Sequence, residues 1–309
     1  MIDHRLRTLR VLASEGTVTA AALTLHLTPS TVSQQLRHLA EDLGVRLLEP
    51  DGRRVRLTAA ALAIIEHADI LYAQWERTSA DLDAYRDGEA GHLRIAGIAT
   101  ALSSIIAPAM VKLRRQYPRM TFDLGEYAGE NRFKLLVAGQ VDIAVIIPTP
   151  DGPAPNDGRF EQQVLLEEPQ DLLVPAQHRF ALRDDVSLSD AAEEIWIQAG
   201  DQRDQHQLLL SACAAAGFMP RLAHNAIDWC AVGALVAHGY GICLFPRLAH
   251  LTSGQEVKRV RLVGAHAPVR RLLACIRRGS ADQFSIASGL SALRSASDEW
   301  KAQEATARS

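Results

Sequence analysis

A proline near residue 29 divides the start of the chain into short helical segments, and this break constrains the fold more than any other feature. Apolar residues recur at helical spacing over 6–12, and the alanine-rich run 20–27 follows a Gly-Thr interruption. Thr28-Pro29-Ser30 ends that helix and starts another, because Pro29 sets φ for the turn and Ser30 can cap the new N-terminus. We expect the third helix over 31–43, ending at a glycine.

The third helix has two chemically different faces. An apolar stripe is formed at spacings of 4, 3 and 4 by Val32, Leu36, Leu39 and Leu43. Lying largely off this stripe are Ser30, Thr31, Ser33, Gln34, Arg37 and His38. Two short helices joined by a tight turn, the second exposing hydrogen-bonding side chains, are typical of a helix-turn-helix that reads DNA.

The segment 46–58 has the pattern of a small hairpin. Pro50-Asp51-Gly52 is a turn signal, and the flanking residues can pair as two strands. Its tip and return strand carry Arg53, Arg54 and Arg56. Such a wing would lay positive charge beside a DNA backbone when the third helix sits in the major groove.

A long helix is predicted from the cap Thr58 to about Arg86, followed by a linker over Gly88 to His92. Its apolar stripe alternates spacings of 4 and 3 through Ala61, Ile65, Ala68, Tyr72, Trp75, Ser79 and Leu82. The stripe fits either packing within one chain or a dimer seam. Because no partner within the chain is evident from the sequence, we favour a dimerisation helix.

From residue 93 onward, strands alternate with helices, which predicts α/β layers with mixed sheets. Strands are expected at 93–97, 121–126, 141–147, 160–166, 171–175, 194–197, 221–226, 241–245, 257–262 and 271–276. Helices are expected at 100–117, 133–138, 205–217, 230–238 and 285–294, with a loop over 148–158 and a frayed tail over 295–309.

Composition limits the class of protein. The net charge of −3 argues against a chain built wholly to coat nucleic acid, although residues 1–58 carry +2 and the remainder −5. The excess of Arg over Lys fits phosphate and guanine recognition, but equally a coding bias. No signal peptide or apolar span is evident, so we expect a cytoplasmic protein without membrane contact. The four cysteines, namely Cys213, Cys230, Cys243 and Cys275, are interpreted as buried reduced thiols, with a redox switch as the alternative.

Several spaced blocks stand in the N-terminal region, namely Gly16 to Leu23, Leu27 to Leu36, Leu43 to Leu48 and Arg53 to Thr58. Together they resemble the DNA-binding domain of LysR-type transcriptional regulators. Landmarks of the family's effector domain follow at Arg94 to Gly97, Gly139 to Ala144 and Val236 to Pro246. The chain departs from the family pattern at Val18, Ala40, Leu48, Pro50 and Ala61, and Pro50 removes one expected phosphate contact.

The resemblance implies an N-terminal all-α winged helix-turn-helix with a linker helix, and a C-terminal α/β periplasmic-binding-protein-like effector domain of two lobes. The expected limits are 1–58 for the DNA-binding domain, 59–90 for the linker helix, 91–300 for the effector domain and 301–309 for a tail. Within the effector domain we expect lobe 1 at about 91–164 and 269–300, and lobe 2 at about 165–268.

The resemblance also implies a bacterial, sequence-specific regulator that binds an interrupted palindromic DNA operator as a homodimer or homotetramer, with RNA polymerase as a further partner. Base contacts are expected from Ser30, Thr31, Ser33, Gln34 and Arg37, and backbone or minor-groove contacts from Arg53, Arg54 and Arg56.

By family analogy, a small-molecule effector of unknown identity lies between the lobes, and no cofactor or metal is expected. The expected lining is Ile98, Thr100, Ala101, Tyr127, Ile147, Gln198, Asp228 and Phe245. Thr100 can anchor the ligand or simply cap a helix, and Asp228-Trp229 can form a rim or pack in the core. The polar run Gln202 to His206 fits a solvated loop.

Three other classes of protein are alternatives to this interpretation. An enzyme is disfavoured because the sequence has no nucleophile elbow, phosphate-binding loop or metal triad. A solute-binding transport protein needs no DNA-reading domain. An architectural DNA-binding protein that works without an effector is the alternative that stays open.

Overall fold

A computed structural model describes residues 2–51, 54–83, 91–127, 131–150 and 152–306 of the chain. Its α-helices are α1 (His4–Glu15), α2 (Val18–Leu25), α3 (Pro29–Leu43), α4 (Ala59–Asp83), α5 (Ala99–Ala101), α6 (Ala107–Gln116), α7 (Arg132–Val137), α8 (Gln205–Ala215), α9 (Trp229–Ala237) and α10 (Phe284–Thr306). A π-helical turn, Leu102–Ile106, joins α5 to α6, so the expected helix over 100–117 is one continuous helical segment.

The strands form a hairpin, a large sheet and a small parallel pair. They are β1 (Leu48–Asp51), β2 (Arg54–Leu57), β3 (Gly91–Gly97), β4 (Met120–Glu126), β5 (Ile143–Ile146), β6 (Phe160–Pro175), β7 (Asp185–Ser187), β8 (Ile195–Ala199), β9 (Arg221–Ala226), β10 (Cys243–Pro246), β11 (Val257–Val263) and β12 (Val269–Arg277). The large sheet has the order β4-β3-β5-β12-β6-β11-β7, with β10 also paired to β6, while β8 pairs with β9.

The first three helices form the expected helix-turn-helix, but one cap differs from prediction. Thr17 caps α2 through a hydrogen bond from the Ala20 backbone N–H. Thr28, rather than Ser30, caps α3, since Pro29 takes the first helical position and Ser30 already lies inside the helix. The helix ends as predicted, at Gly44, whose φ of 66° is the left-handed conformation that glycine adopts most readily.

One long strand connects the two lobes of the C-terminal domain. The sequence predicts two separate strands at 160–166 and 171–175, whereas β6 runs without a break from Phe160 to Pro175. Its first part pairs with β12, and its last six residues pair with β10 and β11. We call the part built around β3, β4 and β5 lobe 1, and the part built around β8 to β11 lobe 2. The strand therefore passes through the hinge between them.

The helix α4 packs against its own chain along part of the predicted dimer seam, so the expectation that it lacks an intrachain partner was wrong. Ala61 and Ala68 are buried, and the Arg10 guanidinium lies 4.3 Å from the centre of the Tyr72 ring. Glu76 pairs with Arg277 of lobe 1. The predicted end of the helix and most of the predicted linker, residues 84–90, lie outside the described residues.

The C-terminal helix is much longer than predicted, since the expected frayed tail over 295–306 is helical. Ala296 and Ser297 are buried, and Trp300 packs on the apolar core of lobe 1. Glu299 pairs with Lys112, and Glu304 approaches Arg247 at 3.6 Å. The helix α10 therefore reaches from lobe 1 to the hinge, and these contacts stabilise its C-terminal part. Among the described helices, none is long and apolar enough to cross a membrane.

Candidate functional site

The helix α3 buries one face and exposes the other. Val32, Leu36 and Leu39 are buried in the core of the N-terminal domain as predicted, whereas Leu43 is exposed at the end of the helix. On the opposite face lie the five residues expected to contact bases, of which Thr31 is half-buried and the others are exposed, namely Ser30, Ser33, Gln34 and Arg37. The structure therefore brings these five side chains together on one helical face that solvent can reach.

Two adjacent glutamines on α3 have different roles. The Thr8 hydroxyl donates a 2.6 Å hydrogen bond to Gln35 Oε1, which ties α3 to α1. Gln34 points to solvent, and within the part of the chain that the structure describes neither Gln34 nor Arg37 makes a side-chain hydrogen bond or ion pair. A glutamine amide can bind adenine, and an arginine can bind guanine, through two hydrogen bonds in the major groove. Their free donors and acceptors suit that task.

The hairpin forms as predicted, with Leu48 opposite Leu57 and Asp51 opposite Arg54. Arg56 is exposed and pairs across the strands with Glu49, so part of its charge is already compensated. Arg53 and the side chain of Arg54 lie outside the described residues. The wing thus offers the Arg56 guanidinium, whose charge is partly compensated by the Glu49 carboxylate.

A buried polar network stands at the hinge of the C-terminal domain. Arg270 of β12 lies opposite Glu168 of β6, and its Nε and Nη2 donate to Glu168 Oε2 at 2.9 and 2.6 Å. The same guanidinium donates to Thr100 Oγ1 in lobe 1 at 2.9 Å and to Gln205 Oε1 in lobe 2 at 3.4 Å. Because Glu168 is 0% and Arg270 4% exposed, the pair is protected from solvent and joins the two lobes.

The network continues into lobe 2 through two glutamines and a backbone amide. Gln205 Nε2 donates to Gln170 Oε1 at 2.9 Å, and the Leu248 backbone N–H donates to Glu168 Oε1 at 2.6 Å. Each hydrogen bond offsets part of the cost of removing these polar groups from water. The hinge is therefore held by satisfied polar contacts rather than left open to a ligand.

A cavity of about 520 Å³ lies beside this network, between the lobes. Ile147 and Pro148 of lobe 1 line it on one side, and Arg203 and Asp204 of lobe 2 on the other. Burial raises the pKa of Asp204. The Arg203 side chain is exposed and, within the described residues, makes no ion pair. A pocket with an apolar wall and a free guanidinium suits a small anionic molecule.

The eight residues expected to hold an effector do not converge on one place. Ile147 lines the cavity, while Ile98, Thr100 and Ala101 are buried in lobe 1. Tyr127 lies in a groove near the N-terminal domain, and Gln198 is half-buried in β8. Thr100 was predicted to begin a helix, but α5 starts one residue earlier, at Ala99. The Thr100 hydroxyl does not cap the helix and instead accepts a hydrogen bond from Arg270.

Two lobe 2 residues of that set have structural roles in this structure. Phe245 is fully buried, because the Trp229 ring packs edge-on at 5.2 Å and the Arg259 guanidinium covers it at 4.7 Å. Asp228 is exposed and caps α9 by accepting from the Ala231 backbone N–H at 2.9 Å. Trp229 accordingly packs in the core rather than forming a pocket rim.

Sequence reasoning missed the charged residues of the hinge. Glu168 and Arg270 stand between or beside the predicted strands, and Arg203 and Gln205 belong to the run that fits a solvated loop. One signal was available, because Glu168 stands in a short gap between two strand-forming runs, 160–166 and 171–175, and a charged side chain is seldom buried unless it has a partner. The partner itself, about a hundred residues away, is visible only after folding.

Three of the four cysteines are buried, and Cys230 is exposed, contrary to the expectation that all four are buried. Burial raises the pKa of Cys213 and of Cys275 to about 12 and also raises the pKa of Cys243. These three thiols stay protonated near neutral pH and are therefore poor nucleophiles. Among the described residues, no three His, Cys, Asp or Glu side chains come together as metal ligands.

Comparisons with known proteins match both parts of the chain. Residues 4–62 match the family model "Bacterial regulatory helix-turn-helix protein, lysR family", and residues 86–297 match "LysR substrate binding domain". The transcriptional dual regulator GltC of Bacillus subtilis is 26% identical over 218 residues, covering 70% of this chain and 71% of the relative.

Two solved structures share the fold of the whole chain. A hydrogen peroxide-bound mutant of OxyR from Corynebacterium glutamicum superposes with a TM-score of 0.62 at 22% identity, covering 98% of this chain and 94% of that one. Full-length CbnR complexed with its target DNA superposes with a TM-score of 0.57 at 22% identity, covering 96% and 100%. Both parts of the chain, the helix-turn-helix and the two lobes, thus follow one known architecture.

Proposed function

Because the chain belongs to the LysR family of transcriptional regulators, we propose that it reads an operator through α3 and responds to a small anionic molecule held between its lobes. The family consists of regulators rather than enzymes. The proposed limits are 1–58 for the DNA-binding domain, 59–90 for the linker helix and 91–300 for the effector domain, with α10 continuing past the last limit.

The observation that carries the DNA-binding proposal is the exposed polar face of α3. Gln34 and Arg37 stand one helical turn apart, both exposed, and the described residues leave their hydrogen-bonding groups free. We assign base contacts to this face, namely to Ser30, Thr31, Ser33, Gln34 and Arg37, and backbone contacts to Arg53, Arg54 and Arg56. The fold that the chain shares with CbnR complexed with its target DNA supports this assignment of DNA contacts.

A second copy of the chain is proposed to pack along α4. The described part of this helix leaves Leu71, Trp75 and Leu82 exposed, at spacings that place them on one face. This face retains Trp75 and Leu82 of the predicted seam and adds Leu71, whereas Ala61 and Ala68 of that seam are buried within the chain. A twofold dimer would present two reading helices to the two halves of a palindrome, and pairs of dimers would give a tetramer.

The effector is proposed to be a small anion with an apolar body. The free Arg203 guanidinium would pair with its charge, while Ile147 and Pro148 would contact its apolar part. A cytoplasmic location and contact with RNA polymerase belong to the same proposal and follow from the regulatory role.

The DNA-binding proposal is tested by selecting a duplex from a random library with the full-length protein and measuring affinity by fluorescence anisotropy. Replacing Gln34 and Arg37 by Ala removes two base contacts, each worth about 1–3 kcal/mol of discrimination. We expect the ratio of affinities for selected and scrambled DNA to collapse, while weak binding to any duplex persists.

The matched control replaces Arg115 and Gln116, an exposed Arg-Gln pair on α6, by Ala. This variant should keep the full affinity ratio. Retention of that ratio by the α3 variant would show that α3 is not the reading helix. An architectural protein, in contrast, would show no selected sequence at all.

The effector proposal is tested by a thermal-shift screen of carboxylates and phosphorylated metabolites. A ligand that binds only the folded protein raises its melting temperature, and the rise grows with its affinity. We expect Arg203→Gln to lose the shift and Arg221→Gln, an exposed arginine on β9, to retain it. A shift that survives Arg203→Gln would place the ligand elsewhere.

A further inference from the structure

The helix α1 has two contact faces, and the second one meets lobe 1. Leu9 and Leu12 pack inside the N-terminal domain. Arg7, Val11 and Glu15, spaced four residues apart, form another face that is turned towards α7. Val11 is buried, and it belongs to the same apolar cluster as Leu136 and Val137 of α7. The cores of the N-terminal domain and lobe 1 are therefore continuous.

Polar contacts surround this apolar join. Lys134 Nζ donates to Glu15 Oε2 at 2.7 Å, and the Thr24 hydroxyl donates to Glu15 Oε1 at 2.9 Å. Gln140 Nε2 donates to the Thr24 carbonyl oxygen and lies 3.2 Å from His26 Nε2. The Glu15 side chain is only 10% exposed, so its carboxylate depends on these partners for compensation.

The join also contains the guanidinium of Arg7. Arg7 packs against the turn at Gly139, whose φ of 61° places it in the left-handed region, and burial lowers the pKa of Arg7. Within the described residues, Arg7 has no ion pair. Arg94, beside the same turn, is in contrast paired with Asp142. An uncompensated cation weakens the join, which suits a contact that has to form and break.

The helix α7 connects this join to the cavity between the lobes, which we call the cleft. Its N-terminal end, with Asn131 and Phe133, lines a small cavity together with Ile147 and Asp204 at the mouth of the cleft. Its C-terminal end carries the turn that meets α1 and α2. Because α7 has only six residues and spans about 9 Å, a displacement at one end moves the other.

We infer that lobe 1 carries a docking surface for the helix-turn-helix of its own chain, formed by α7 and the Gly139-Gln140 turn. We call this contact the joint, and we infer that it couples ligand binding in the cavity between the lobes to the orientation of α3. The docked domain keeps Ser33, Gln34 and Arg37 exposed, so docking orients α3 rather than covering it. This inference rests on the proposed DNA-binding function.

The contact is tested directly with a carbodiimide, which joins a lysine to a carboxylate only where the two are in contact. The chain has four lysines, Lys112, Lys134, Lys258 and Lys301, so few products are possible. We expect a Lys134–Glu15 peptide in the full-length protein. Links from Lys112 to Glu299 and from Lys301 to Asp298, both ion pairs of α10, are internal controls.

Mixing unlabelled and ¹⁵N-labelled protein before the reaction identifies the chain of origin. We expect both halves of the Lys134–Glu15 peptide to carry the same isotope. Control links without this peptide would overturn the inference. A peptide of mixed isotopes alone would also overturn it, because the surface would then hold the helix-turn-helix of a second copy.

The function of the joint is tested with charge reversals. Glu15→Lys and Lys134→Glu each oppose like charges, and we expect each to weaken binding to the selected operator about fivefold, because the reading helix is no longer pre-oriented. The double variant restores the opposite charges and should recover the wild-type affinity. Lys112→Glu, which breaks a pair within the C-terminal domain, is the matched control and should leave the affinity unchanged.

If the double variant weakened operator binding by the sum of the two single effects, the coupling between Glu15 and Lys134 would be overturned, because the effects of independent sites add. Coupling is reciprocal, so operator binding should also change hydrogen exchange in the cleft segments 131–137 and 201–204. This change should be absent in Lys134→Glu. If the operator binds but the cleft segments never respond, the joint is refuted while the DNA-binding proposal stands. If no operator can be selected, the proposed function itself fails.

Discussion

The exposed polar face of α3 and the hinge network around Arg270 use similar residue types in opposite ways. On α3, Gln34 and Arg37 are exposed, with their hydrogen-bonding groups unused within the described residues. At the hinge, Arg270 and Gln205 are buried, and their groups are bonded to Glu168, Thr100 and Gln170. The same hydrogen-bonding groups are thus left free on the face proposed to recognise DNA and are satisfied where they connect the two lobes.

This difference separates stability from function. Removing an exposed polar group costs little folding free energy, whereas breaking a buried pair leaves an uncompensated charge. Variants of α3 should therefore lose DNA recognition without unfolding. Variants of the hinge should lose stability first.

The largest effect is expected for Arg270→Ala. It leaves the Glu168 carboxylate buried without its cation, which typically costs about 3–5 kcal/mol. Urea unfolding followed by circular dichroism measures this loss. Arg37→Ala is the exposed counterpart and should change the free energy of unfolding by less than about 0.5 kcal/mol. Equal costs for the two arginines would contradict the comparison.

A smaller effect is expected for Thr100→Val, which preserves the shape of the side chain. The variant deletes the hydroxyl that accepts from Arg270, and a hydrogen bond to a charged group contributes about 1.5–3 kcal/mol. Thermal unfolding checks the prediction, with Ser33→Ala as the exposed reference. If Thr100→Val proved as stable as the wild type, the hydroxyl would be free for a ligand instead.

The cap of the reading helix should contribute about 1 kcal/mol. Thr28 Oγ1 accepts from the Thr31 backbone N–H at 3.1 Å, and Thr28→Ala leaves that donor to water. Thr28→Ser, which retains the cap, should restore most of the stability, as urea unfolding would measure. An equal loss in the Ala and Ser variants would indicate that the methyl group, not the hydroxyl, matters.

The smallest effect concerns acid sensitivity at Asp142. Burial alone raises its pKa, but hydrogen bonds from Arg94 and the charge of Arg277 outweigh burial, so the pKa lies below its usual 3.8. The ionised form therefore stabilises the fold above pH of about 4, and this contribution is lost as the pH falls through the folded-state pKa. Asp142→Asn should flatten the stability curve below a pH of about 4, as measured by urea midpoints. If the variant lost stability with falling pH as steeply as the wild type, another carboxyl group would be responsible for the acid sensitivity.

Most of the N-terminal domain could be predicted because its signals are local. Helical spacing, Pro29 and the Pro50-Asp51-Gly52 turn specify three helices and a hairpin within a short stretch of chain. An error there is a small shift at the cap of α3, where Thr28 rather than the neighbouring Ser30 is the capping residue. The alternation of strands and helices predicted the α/β class of the C-terminal part, although β6 was expected as two strands and the end of α10 as a frayed tail.

The cleft was predicted less well because its parts come from distant segments. Arg270 meets Thr100 across 170 positions of sequence, and Lys134 meets Glu15 across 119. Such pairs leave no periodic trace in one sequence. The burial of Phe245 and the exposure of Arg203 follow from packing between whole elements, which local patterns do not describe.

The sequence by itself determined the class of protein and the two-part architecture through its resemblance to a family. It also determined the polar face of α3, because helix periodicity and turn chemistry act over a few residues. Only the tertiary structure decided which polar groups form hydrogen bonds and ion pairs at the hinge and which remain unpaired in the cleft. It also decided that α7 lies between the cleft and the helix-turn-helix. These outcomes depend on burial and on pairing between distant segments, and both exist only once the chain has folded.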